Sequence, residues 1–414
     1  MADISPFAAW RFNTAQFGPD LSRFLSPPYD VLDANDKSRL LERDARNIVA
    51  VDLPHVPPSS PGPAEAYQRS AETLNAWMRD ATLVREAMPS LYVYHQAFEH
   101  AGRSFTRKMF IARVKLAHFS EGVILPHEKT FGGPKEDRLA LMKATTCNLS
   151  PIFGLYTDTA GTVDKLLGGA LSPEPDAFGH LDGVDNRLWV VSNDTVLRSV
   201  ADAMREKKIY IADGHHRYTT SLMYRDGARE KNNGALPSDH PANYVMFVLA
   251  RMEDPGCLIL PYHRALGGVD ADMLMRAWKS AVEPVGPGAC DLRIWNSRTN
   301  REFPARYTNR SLLPSLAPDE CPAWHRLDYA YLHRYLIDEL LAPGKGTKSP
   351  DLHYAKSEQQ AKEVAKKHAG VALLVNATPM DHLRAVSESG GLMPQKSTYF
   401  HPKLATGLTI HPLI

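Results

Sequence analysis

The sequence predicts a mixed α/β (α+β) protein. Three observations carry this: β-prone runs alternate with helix-period segments along the chain, hydrophobic residues at 43% and charged residues at 23% suit a chain with a real core, and no internal repeat of fixed period is present. At 414 residues the chain exceeds one ordinary domain. We expect an α/β core over residues 1–255 and a smaller α/β region over 256–414 packed on it.

In SPPYDVLDANDKSRLL two prolines force an extended entry, and Asp33 or Asn35 is placed to cap a helix through Leu41. PHVPPSSPGP, Pro54 to Pro63, is too rich in proline for regular structure and reads as a stiff surface loop. AEAYQRSAETLNAWMRD sets Tyr67, Leu74, Trp77 and Met78 near helical spacing. LYVYHQAF and FTRKMFIARVKL alternate about EHAGR as the arms of a hairpin do. A helix in DRLALMKATT follows, then strands in SPIFGLYTD and RLWVVS, a helix in TVLRSVADAMREKK, and strands in KIYIA and NYVMFVLAR. In the second half DADMLMRAWKSAV, YAYLHRYLIDELL and SEQQAKEVAKKHA read as helices and GVALLVNA as a strand.

Lys plus Arg (48) nearly balances Asp plus Glu (47), so there is no global field to attract nucleic acid or an anionic membrane. Any anion has to be held locally. The opening MADISPFAAWRF lacks a basic region followed by a long apolar run, and no window reaches the roughly 18 apolar residues of a membrane span, so a cytoplasmic protein is expected. Cys147, Cys257, Cys290 and Cys321 form no C-x-x-C pair, which argues against a zinc knuckle or a disulfide framework.

The stretch IADGHHRYTTSLMYRD, Ile211 to Asp226, occupies a strand, a turn and a helix start. Backbone N–H groups and the positive end of the macrodipole favour an anion there, and Gly214 offers no Cβ to keep it away. Cations are disfavoured at a helix N-terminus unless something negative joins them, so His215, His216 and Arg217 together point to a bound phosphate. The plainer alternative is a solvated first turn capped by Asp213. Asp213 otherwise orients a histidine or binds a magnesium ion accompanying the phosphates. Adjacent helical histidines diverge by about 100° and share one metal ion poorly.

Ser5-Pro6-Phe7, PPYDV (Pro27 to Val31), HEKT (His127 to Thr130) with Asp137-Arg138, NLSPIFGLY, IADGHHRY, PYHRAL and MPQKSTYFHPKLATGL together identify the chain as a member of the family called domain of unknown function 1015. The DGHHR segment is also similar to the nucleotide-phosphate motif of the ParB/sulfiredoxin superfamily, which includes archaeal free-serine kinases. That resemblance implies a ParB/sulfiredoxin-like nucleotide-binding core with additional α/β elements, and phosphate contacts from Gly214, His216 and Arg217. Where sulfiredoxins carry their reactive cysteine this chain has His215, so sulfinic-acid reduction is not implied.

ILPHEKTFGGPKEDRLALM gathers His127, Glu128, Lys129, Thr130, Lys135, Asp137 and Arg138 around a flexible GGP, as a loop closing over a nucleotide would, or as a solvated loop before a helix. The residue three after Glu128 is Phe131, so HE here opens no zincin motif. Asp30, in rigid SPPYDV, and Glu128 compete as base for a substrate hydroxyl. Lys396, Ser397, Thr398 and Lys403 offer further anion ligands, and His263-Arg264 in PYHRAL is similar in kind. PGKGTKS lacks the leading glycine of a P-loop, and G-x-G-x-x-G and G-x-S-x-G are absent.

These observations predict a small-molecule kinase that uses ATP or ADP with Mg, holds the phosphates on residues 213–217, and takes the proton from a hydroxyl acceptor through Asp30, Glu128 or His127; the resemblance implies free serine as such an acceptor. A ParB-like nucleotide-binding switch is the contrasting reading. A metal-dependent phosphohydrolase or nuclease is a third, and it needs clustered carboxylates that no spacing here provides. A small substrate and a nucleotide are the expected partners, with no membrane and no nucleic acid.

Overall fold

Alternation of large apolar residues along short runs builds the central sheet of the protein. The computed structural model describes residues 2–130, 132–286, 288, 290–341 and 351–414. Phe131 and the PGKGTKS segment, 343–349, lie outside the described residues. Contacts divide the chain into a first unit of residues 1–125, 130–257 and 402–414 and a second of 126–129 and 258–401. The sequence boundary at 255 falls two residues from the division at Cys257, while two short segments, 126–129 and 402–414, belong to the opposite side of it.

The first unit carries a nine-stranded mixed sheet. Its strands in chain order are β1 (Ile4–Ser5), β2 (Leu91–His100), β3 (Arg103–Lys115), β4 (Ile124–Leu125), β5 (Ile152–Tyr156), β6 (Ala177–Leu181), β7 (Val184–Val191), β8 (Ile209–Asp213) and β9 (Tyr244–Arg251). They lie in the order β4-β8-β5-β9-β3-β2-β7-β6, with β1 beside β3. The contacts β8 with β4 and β9 with β5 are parallel and the rest antiparallel. The expected β2–β3 hairpin forms, closed by Ala101 and Gly102, both at positive φ as a type I′ turn requires. A second hairpin, β6–β7, turns on Asp182 and Gly183 in the same way. Asp182-Gly183 is the local signal for this turn, and the expected strand RLWVVS is the second arm of the hairpin, β6 being the arm that the sequence pattern does not mark.

One sheet face presents Val93, Phe110, Ala112, Ile152, Ile211, Val245 and Phe247 to a core completed by Leu197, Val200, Met204, Tyr218 and Leu222 from helices. At about 25 cal/mol per Å2 of apolar area removed from water, each such side chain contributes roughly 1.5–3 kcal/mol before entropy is charged against it. The other face is covered where the chain returns at 402–414. Gln96 Nε2 donates to Lys403 O (3.0 Å), Arg107 Nη2 to Pro402 O (2.7 Å), and Ala405 N to the Tyr94 hydroxyl (3.2 Å).

Helices α1 (Ala64–Arg79), α2 (Gly132–Thr145), α3 (Asp194–Met204) and α4 (His215–Lys231) follow the sequence reading closely. α1 packs on α2, and α2 on α4. The helix Ala34–Arg43 is capped by Asp33 in a capping box with Asp36. GGP is a correction: residues 132–134 are the first turn of α2, not a flexible hinge. Proline fits there because the first-turn N–H groups have no intrahelical partner.

The second unit holds a six-stranded antiparallel sheet in the order Val282–Pro284, Arg301–Tyr307, Leu292–Asn296, Val371–Val375, His263–Gly267 and Asp351–Ala355. The helix Glu358–Lys367 packs on it through Ala361 and Ala365. YAYLHRYLIDELL is helical, but Tyr331–Leu341 is wound with the wider i to i+5 pattern. Among the described residues no helix is long and apolar enough to cross a membrane.

Candidate functional site

The GHHR segment forms the predicted junction. β8 ends at Asp213, Gly214 takes a left-handed conformation (φ 100°), and α4 starts at His215. Gly214 itself is the N-cap, with no side chain capping the helix, so the expected alternative of Asp213 as a cap does not hold. Nor is the first turn solvated: His215 is 5% and Arg217 9% exposed, and His216 is half-buried.

The Arg217 guanidinium folds back over Gly214, where an added Cβ would lie 3.1 Å from its Cζ. Glycine is required here twice, for its φ and for that close approach. Arg217 Nη1 donates to Pro151 O, and Nη2 lies 3.5 Å from Asp213 Oδ1. Lys403 Nζ donates to Asp213 Oδ2 at 2.6 Å. Burial resists ionisation of Asp213, but the charges of Lys403, Arg217 and His215 outweigh it and hold the carboxyl well below the usual range. With each oxygen facing a cation, Asp213 does not fit the part of a resident magnesium ligand.

Behind this junction a small cavity of about 30 Å3 is lined by Tyr29, Asp52, Arg138, Ser150, Arg217 and Ser221, among others. That is room for two or three waters. Arg138 is 5% exposed and its guanidinium carbon lies 3.9 Å from the centre of the Tyr29 ring. It donates through Nε to Asp137 Oδ2 (2.7 Å) and through Nη1 to the Asp52 carbonyl (2.6 Å). Asp137, fully buried, also accepts from the Tyr67 hydroxyl (2.7 Å) and lies 2.6 Å from His55 Nε2. Proline-rich residues 54–63 are therefore no free loop, since His55 anchors them to α2. Ser150 Oγ donates to Asp52 Oδ2 (2.6 Å), and burial raises the Asp52 pKa against the pull of Arg138. Sequence reasoning missed Asp52: VDLP has no motif, and only the fold sets it against DR and SP. Ser150, in NLSPIFGLY, likewise carries no mark in the sequence of its bond to Asp52.

Asp30 is exposed, next to Tyr29 in a single helical turn, and its charge acts on Arg217 and Asp52. The first unit thus gathers Asp30, Arg138, residues 213–217 and Lys403 of the predicted site. His127, Glu128, Lys396, Ser397 and Thr398 belong to the second unit. There buried His127 holds Thr398 Oγ1 at 3.0 Å through Nε2, and Ser397 Oγ donates to Pro394 O at 2.6 Å. Lys396 Nζ lies 5.6 Å from the Tyr262 ring centre, and half-buried Glu128 acts on the Tyr354 hydroxyl. His263-Arg264 is no open anion site. Arg264 is fully buried between the Tyr329 and Tyr354 rings and bonds His333 Nε2 (3.0 Å) and Gln395 O (3.0 Å).

Among solved structures, the chain is similar to a mutant free serine kinase in complex with AMP, at 12% identity and a TM-score of 0.35 over 73% of this chain and 92% of that one. It is similar to SbnI with C-terminal truncation from Staphylococcus aureus, at 12% identity and a TM-score of 0.36 over 73% and 87%. A conserved hypothetical protein from Pyrococcus furiosus matches at 12% and 0.33 over 72% and 95%. Likeness at this level carries no argument about activity. No match is found among curated proteins. The family described as Protein of unknown function (DUF1015) matches residues 4–330, most of the chain, and the protein belongs to it.

Proposed function

We propose that the protein is a nucleotide-dependent phosphotransferase whose phosphate site is the mouth of α4. The observation that carries the reading is the group over Gly214: a buried guanidinium, Arg217, that donates to a backbone carbonyl and faces Asp213 only at 3.5 Å, beside a helix N-terminus that no side chain caps. A phosphate oxygen is a stronger acceptor for that guanidinium than Pro151 O. It also meets the positive end of the helix dipole.

The cavity is too small for a nucleotide, so binding requires Arg217 to leave Pro151 and turn to the phosphates. Lys403 keeps Asp213 paired during the exchange. Magnesium accompanying ATP or ADP would take its ligands from phosphate oxygens, since both oxygens of Asp213 already face cations. Asp30 is the base we assign, because among Asp30, His127 and Glu128 it alone shares the first unit with Gly214. It takes the proton of a small hydroxylated acceptor, such as the free serine implied by the DGHHR resemblance, as the hydroxyl oxygen attacks the terminal phosphorus of the nucleotide and the bond from that phosphorus to its bridging oxygen breaks, releasing the nucleotide one phosphate shorter.

The test is calorimetric titration with ADP and ATP, followed by a nucleotide-consumption screen against hydroxylated amino acids and sugars. Arg217→Ala weakens nucleotide binding about tenfold to a hundredfold, and Asp30→Asn leaves binding intact while removing turnover. Binding without turnover under any acceptor makes the site a switch. Equal affinity in Arg217→Ala removes the phosphate assignment.

A further inference from the structure

In the second unit three side chains converge for which the phosphotransferase reading has no use. Asp351 and His353 stand two apart on the strand Asp351–Ala355, and so on one face of it. His368 is the C-cap of the helix Glu358–Lys367. Asp351 Oδ2 lies 2.9 Å from His353 Nε2 and 3.0 Å from His368 Nδ1, and the three donor atoms all fall within 4.8 Å of one another. The imidazole rings stand 4.2 Å apart, tilted by 49°.

A second observation shows that the backbone is shaped around this convergence. Gly267 is the strand partner of Asp351, and a Cβ there would lie 2.7 Å from Asp351 Oδ2 and 3.0 Å from His368 Cβ. Any larger residue would push the carboxylate and the imidazole out of place. His368 is fixed independently, because Gly268 N donates to its carbonyl at 2.9 Å.

We propose that Asp351, His353 and His368 form a binding site for a borderline transition-metal dication of the zinc class. Two imidazoles and one carboxylate suit zinc, nickel or cobalt better than magnesium or calcium, which prefer all-oxygen shells. Bonds of about 2.0–2.1 Å in a tetrahedron place ligand atoms roughly 3.3 Å apart, so the observed separations need small rotations rather than backbone movement. Three protein ligands leave a coordination position for water. The ion would clip strand 351–355 to the end of helix 358–367.

The experiment uses tag-free full-length protein. Cobalt(II) is titrated and followed by its visible absorption, zinc is titrated in competition with a chromophoric chelator, and thermal unfolding is recorded with and without zinc. Expected are one equivalent bound at this site, a raised Tm with zinc, and affinity lowered about tenfold or more in each of His353→Ala and His368→Ala. Both positions are part-exposed, so unchanged metal-free Tm values in these variants verify the fold. Because the chain has 17 histidines, the decisive comparison is with the double variant. Binding and zinc-dependent Tm that persist unchanged there, or no cobalt spectrum in the wild type, overturn the proposal.

Discussion

Lys403 Nζ sits 2.6 Å from Asp213 Oδ2, joining residues 190 positions apart in the sequence. Both side chains are about four-fifths buried, so the pair is worth more than a surface contact and less than a fully buried one. Lys403→Met is expected to cost about 1–3 kcal/mol in urea unfolding at pH 7. The folded pKa of Asp213 lies below its unfolded value of about 3.9, so the native state binds fewer protons and this stability is present above that value. It is lost as pH falls through the folded pKa. The variant therefore unfolds in acid at a higher pH than the wild type.

Asp52 behaves in the opposite sense. Burial raises its folded pKa, so between the ordinary carboxylate value and the raised one the native state holds the extra proton, and stability declines as pH rises. Asp52→Asn removes that dependence. Relative to the wild type, its stability loss is expected to be largest near pH 4 and to shrink towards pH 7, measured by urea unfolding across that range.

Arg138→Met leaves two buried carboxylates, Asp52 and Asp137, without their shared cation. The expected loss is about 3–5 kcal/mol. Arg138→Lys keeps the charge but not the fork, and recovers only part of it. Equilibrium unfolding of the two variants gives the comparison.

Gly214→Ala meets both a left-handed backbone and the Arg217 guanidinium. A loss of about 1–3 kcal/mol is expected. In the double variant with Arg217→Ala the steric part disappears, so its loss should be smaller than the sum of the two single losses. A double-mutant cycle by thermal unfolding measures this.

Burial pushes the Cys147 and Cys257 thiols up to about 12, while Cys290 and Cys321 are half-buried. A thiolate-selective disulfide reagent should modify Cys290 and Cys321 in the native protein. Cys147 and Cys257 should react only after unfolding, as counted by absorbance.

The sequence by itself determined whatever depends on neighbours in the chain. Alternation in LYVYHQAF and FTRKMFIARVKL made the hairpin, Asp33 with Asp36 made a helix start, and Asp213-Gly214 after KIYIA made a strand, a turn and a helix. Backbone conformation and side-chain period are local, so they are legible from local residues. Tertiary structure alone decided which charges distant in the chain meet: Lys403 with Asp213, Arg138 with Asp52, His55 with Asp137, His368 with Asp351. It also turned Arg217 onto Gly214 and buried Arg264 between two tyrosines. A charge carries no mark of its partner along the chain, because the energy that pairs it is set by distance and burial once the sheets have formed.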